Sequence, residues 1–154
     1  MKFAFAAFAL FVMIGANAPE ATAQQATTSQ GMGEPPAPKI GEIMAQQQMR
    51  HIKLWFAGHS GNWPLADYEI DQLKDGFDDV NQQLGGDTVE KAVGAAIAAI
   101  EKAIDAKDRS AFTSAFDRLT DGCNSCHHTL DHAFIVVQRP SSLPYSDQLF
   151  APPK

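Results

Sequence analysis

Cysteine is scarce in this chain of 154 residues: there are two, Cys123 and Cys126. A zinc site would want four ligands with a second closely spaced pair, and although His128 and His132 are nearby, no other cysteine exists to complete one. A disulfide between the two would join adjacent turns of one helix and close a very short loop for little entropic gain. The alternating strand and helix pattern that normally surrounds a thioredoxin-like C-x-x-C pair is also missing. Beyond residues 3–14, no apolar stretch approaches the ~20 residues that a membrane helix needs. Basic charge is not in excess either, with 12 Lys and Arg against 18 Asp and Glu and a net charge of −6. That balance argues against nucleic acid or an anionic membrane as partner. No acid and base pair, and no nucleophile with its partner, is evident, so an enzyme acting on organic substrates is disfavoured.

What the two cysteines do form is Cys123-Asn124-Ser125-Cys126-His127. C-x-x-C-H is the attachment signal for c-type haem: the thiols add across the vinyl groups as thioethers, and the adjacent imidazole ligates the iron. Spacings of three and four let all three side chains leave a helix on one face, towards one flat cofactor.

The N-terminus supports this reading. Lys2, the Phe- and Ala-rich run 3–14 and the A-x-A site Ala21-Thr22-Ala23 read as an export signal over residues 1–23, with Ala16-Asn17-Ala18 as a competing site. Because c-type haem is attached outside the bacterial cytoplasmic membrane, export is what the motif requires, and the expected location is the periplasm without a membrane anchor after cleavage. Residues 24–39 are polar and then Pro-rich, a flexible leader. About 130 residues remain after cleavage of the signal, enough for one domain.

Four helical segments follow. Ile40, Ile43, Met44, His51, Leu54 and Trp55 share one stripe over 40 to about 58, with Gln46, Gln47, Arg50 and Lys53 towards its flanks and far side. Asn62 caps a second segment with Pro64 in its first turn, and Ile70, Leu73, Phe77, Val80 and Leu84 form its stripe. Gly85-Gly86 stops it. Asp87 with Glu90 resembles a capping box for a third, striped by Val89, Val93, Ile97, Ile100 and Ile104. Asp108 caps the fourth, on which Phe112, Phe116, Leu119, Cys123, Cys126, Leu130 and Phe134 recur at steps of four and three. The cysteines thus continue the core face, and Gly122 beside them has no side chain to obstruct a macrocycle. Residues 135–154, with Pro140, Pro144, Pro152 and Pro153, read as an extended tail whose apolar residues lie over the bundle or hang loosely.

These segments and short connections predict an all-α, antiparallel four-helix bundle over residues 40–134, with covalently bound haem on the fourth helix and an extended C-terminal tail. With the motif on the final helix, the chain resembles the class II cytochromes c, the group containing cytochrome c prime. It departs from them in the length of chain after the motif, so the second iron ligand is sought among its own residues. First and fourth helices are antiparallel neighbours, which brings His51 and Met44 into range as candidate sixth ligands; an open face is the third case. Asp131, one turn after His127, is a candidate acceptor for its imidazole N–H. Arg50, Lys53 and Arg139 are candidate propionate partners.

The expected function is one-electron transfer by a periplasmic monohaem c-type cytochrome, with one haem c on Cys123 and Cys126, His127 as axial ligand and a redox partner protein presenting a basic docking patch. Two alternatives stand beside it: a five-coordinate haem protein that binds or senses nitric oxide or a related gas, and an exported helical protein that uses the motif for metal or thiol chemistry without haem. A homodimer through Ile52 and Phe56 of the first helix is compatible with all three.

Overall fold

The computed structural model describes residues 36–154. The expected signal peptide and residues 24–35 of the leader lie outside the described residues. Four helices run in chain order: α1 (Ile40–Ser60), α2 (Trp63–Leu84), α3 (Thr88–Asp105) and α4 (Arg109–Thr129), with no strand among the described residues. Each connection is two or three residues long, which folds consecutive helices back on one another. The result is a four-helix bundle in which α1 packs on α2, α2 on α3 and α3 on α4, while the closing seam between α1 and α4 is the thinnest. No described helix is long and apolar enough to cross a membrane.

The helix ends follow local chemistry, with three corrections to the sequence reading. Helix α1 runs on to Ser60 and stops at Gly61, whose φ of 76° places it in the left-handed region. Gly58, at the expected end of the first segment, is instead a buried crossing point: a Cβ there would lie 2.2 Å from the Phe112 ring. Asn62 accepts from the Leu65 N–H and Asp108 from those of Ser110 and Ala111, both as expected. Asp87 makes no side-chain cap on α3 and pairs with Lys91; Asn81 of α2 accepts from the Val89 N–H in its place. Helix α4 ends at Thr129, with Leu130 as its cap and Asp131 in the left-handed region two residues beyond the end. Phe134 therefore leaves the core stripe and stands 80% exposed.

Apart from Leu84 at the end of α2, which is exposed, the expected stripes otherwise meet in one core, which includes Leu54, Ile70, Leu73, Val80, Val93, Ile100, Phe112, Phe116 and Leu119. Gln47 is the exception on α1. Expected near the flank, it is buried, donates to the Leu73 carbonyl at 3.3 Å and fits only because Gly76 opposite has no Cβ. Gly122 has a comparable role. A Cβ there would sit 2.5 Å from the Ala92 carbonyl oxygen of α3, so the glycine permits close α3–α4 approach and does not open space beside Cys123.

Two ends of the bundle differ. Where α1 finishes and α4 begins, aromatic rings fill the seam: Trp55 lies 5.1 Å from Phe116, Phe112 6.1 Å from both Phe116 and Trp63, and His51 4.4 Å from Phe116. Towards the other end lie smaller or flexible side chains, Met44 on α1 and Cys123 and Cys126 on α4, partly buried against the core.

Candidate functional site

The antiparallel register of the seam can be read from its contacts. Gly58 meets Phe112, Trp55 meets Phe116 and His51 meets Thr120. Each step up α1 by about one turn is a step down α4 by one turn. Extending this by about two turns, at a rise of ~1.5 Å per residue, sets Met44 level with Cys126 and His127. Around α4, about 100° per residue puts His127 on the same side as Thr120, facing the seam, with Gly122 towards α3 and the two cysteines between these directions.

Both thiols are free and partly buried. Burial, reinforced by the neighbouring Cys126, pushes the Cys123 thiol up to about 12, and burial also raises Cys126. A reactive or redox cysteine shows the opposite displacement, towards the thiolate. No described group of three or more His, Cys, Asp or Glu side chains is arranged to hold a metal ion.

His127 is held by the tail. Its Nδ1 lies 2.9 Å from the Ile135 carbonyl oxygen; a carbonyl only accepts, so Nδ1 carries a proton, and in the neutral imidazole the lone pair is on Nε2. The Ile135 carbonyl takes the role for which Asp131 was a candidate. One residue into the motif, Asn124 grips the tail from both sides: its Oδ1 accepts from the Val137 N–H at 2.8 Å and its Nδ2 donates to the Val137 carbonyl at 2.9 Å.

The tail continues across the outside of the seam. Arg139 bonds Asp117 of α4 through two nitrogens and lies 4.8 Å from the Trp55 ring centre. Tyr145 sits under Lys53, and Phe150 is buried with its ring 6.1 Å from Phe56. Ala151 accepts from Asn62. These contacts engage the basic side chains suggested as propionate partners. Arg50 turns to α2, where Nη1 lies 3.0 Å from Glu69 and Nη2 3.4 Å from Gln72. Phe56, half of the suggested dimer face, lies against Phe150 of the tail.

His51 is buried at 4% exposure, and burial lowers its imidazole to about 4, so it is neutral near pH 7. Its Nε2 lies 2.9 Å from Thr120 Oγ1, whose hydroxyl already donates to the Phe116 carbonyl. The hydroxyl oxygen therefore accepts, and His51 Nε2 carries the proton. Of the two α1 candidates, His51 has its Nε2 committed to Thr120, while Met44 lies at the level of the motif. His59 stacks on Trp55, and His128 and His132 are exposed.

Two free thiols and an imidazole with one nitrogen already bonded, leaving one helix beside its thinnest seam, form a donor set suited to covalent attachment of haem. Asn124, Thr120 and the carbonyl of Ile135 carry no sequence signal: each acts through a partner brought close only by the turn after α4 or by the packing of α1. No protein-family model, curated protein or solved structure matches the chain.

Proposed function

We propose that this chain is an exported monohaem c-type cytochrome that passes single electrons, holding haem c through thioethers at Cys123 and Cys126 with His127 as axial ligand. The observation that carries this is the arrangement of the motif itself: both thiols unpaired, and His127 Nδ1 bonded to the Ile135 carbonyl so that Nε2 is the nitrogen left to bind a metal. When bound, haem supplies the one-electron couple. The chain's part is to anchor the group on α4 and to orient His127. The acidity of the chain suits a partner with a basic docking patch.

The test is maturation in a periplasm competent for cytochrome c assembly. Colour that stays with the polypeptide through acid extraction is expected; colourless protein, or colour that the extraction removes, would refute the proposal.

The level of Met44 favours it as the second ligand and sets a further expectation. In Met44→Ala a low-spin absorption spectrum should become high-spin and respond to carbon monoxide. A high-spin, carbon monoxide-responsive spectrum already in the unaltered protein would instead support the gas-binding reading.

A further inference from the structure

The proposed haem site places its chemistry at one end of α4, yet the bonds that fix His127 come from outside the bundle. The Ile135 carbonyl accepts from His127 Nδ1 at 2.9 Å. A backbone carbonyl at that distance needs its own chain held, and the structure holds it two residues later. There, Asn124 makes a reciprocal pair of bonds to the Val137 backbone, at 2.8 and 2.9 Å. Asn124 lies within the C-x-x-C-H motif, three residues before His127, so the latch and the imidazole stand on the same helix about one turn apart. Further along, Arg139 is tied to Asp117 and Trp55, and Phe150 is buried. Residues 134–136 between these ties are exposed and bury little of their own side chains. Backbone bonds of the turn, from the His132 N–H to the His127 carbonyl at 2.7 Å and from the Ile135 N–H to the His132 carbonyl at 2.9 Å, bring Ile135 back over α4. With little apolar packing on 134–136, the polar latch is what ties down the far side of Ile135.

We infer that Asn124 is a positioning residue: by clamping Val137 it sets the Ile135 carbonyl against His127 Nδ1, which fixes the imidazole tautomer and presents Nε2 as the metal-binding nitrogen. The part concerning iron rests on the proposed haem reading; the part concerning the tautomer does not. A bonded Nδ1–H makes the imidazole a stronger electron donor at Nε2. The latch therefore favours the oxidised iron, and releasing it favours the reduced one.

Asn124→Ala removes both bonds to Val137 and leaves Cys123, Cys126 and His127 in place. Val137→Pro removes one of them, the N–H donor, from the tail side and serves as the second variant should the first fail to fold. In haem-free protein, nitrogen NMR of His127 should show the proton on Nδ1 in the unaltered chain and a mixture of tautomers in the variants, with the Val137 amide of Asn124→Ala losing its protection from hydrogen exchange. In haem-loaded protein, the reduction potential should rise in the variants by an amount equal to about a tenfold change in the ratio of reduced to oxidised protein, ~59 mV for one electron. Asn124→Asp, which keeps the acceptor for the Val137 N–H and loses the donor, should fall between. An unchanged His127 tautomer with a freed Val137 amide would overturn the inference, as would a Val137 amide that stays protected in Asn124→Ala. An unchanged potential alongside a changed tautomer would overturn its iron-directed part. A chain that takes up no haem yet shows the expected tautomer change would overturn the proposed function and leave the latch standing.

Discussion

Arg50→Ala should destabilise the bundle by about 3–5 kcal/mol, the range found when one partner of a buried ion pair is removed. Glu69 is 1% exposed and Arg50 Nη1 lies 3.0 Å from its carboxylate, with the guanidinium also bonded to Gln72 and 5.6 Å from the Tyr68 ring centre. Without the guanidinium, the Glu69 carboxyl would lose its partner in a place that water does not reach. The pair also ties α1 to α2 at a defined rotation, and that rotation turns His51 and Met44 towards α4. Urea unfolding of the single variant measures the loss. The double variant Arg50→Leu with Glu69→Leu should recover most of it, because no buried charge then remains. A cost below ~1 kcal/mol for Arg50→Ala, the range of exposed pairs, would mean that the carboxylate is solvated and the pair is not part of the core.

Stability should also fall steeply in mild acid because of His51. Its folded-state value of about 4 lies below the ordinary value of 6.5, so between those values the unfolded chain binds more protons than the folded one. Stability from this group is thus fully present above about pH 6.5, declines as pH falls and is lost by about pH 4. A gap of roughly 2.5 pH units at about 1.36 kcal/mol each amounts to about 3 kcal/mol. His51→Gln keeps a donor for Thr120 and does not titrate. The difference in unfolding free energy between the two proteins should change by about 3 kcal/mol from pH 7 to pH 4, with the unaltered protein losing more. Parallel curves would show that His51 reaches solvent and takes up its proton without disturbing the seam.

Both effects come from residues that the hydropathy pattern placed only in part. His51 was legible as the imidazole on an apolar stripe, but its partner was not, since Thr120 is 69 residues away and nothing in the spacing links them. Arg50 could be set beside the His51 face by its angle on the helix. Whether it turned to α2 or α4 depended on Glu69, an acidic residue that reads as surface until the α1–α2 interface closes over it. Phe134 shows the converse failure. Its spacing continued the stripe of α4 correctly, but the left-handed turn at Asp131 had already ended the helix.

Local rules were therefore enough for whatever depends on neighbours within a turn or two. The four helices, their Asn62 and Asp108 caps, the glycine stop at 85 and the convergence of Cys123, Cys126 and His127 on one side of α4 all follow from side-chain periodicity and backbone hydrogen bonding along the chain. Tertiary structure alone decided which polar groups meet across the seam and over the motif. Gln47 is buried because Gly76 makes room, His51 is neutral because the seam closes on it, and His127 is oriented by a carbonyl beyond the end of its helix. The physical reason is the range of the interactions: periodicity and capping are set within a few residues, whereas desolvation and long-range hydrogen bonds exist only once distant segments have packed.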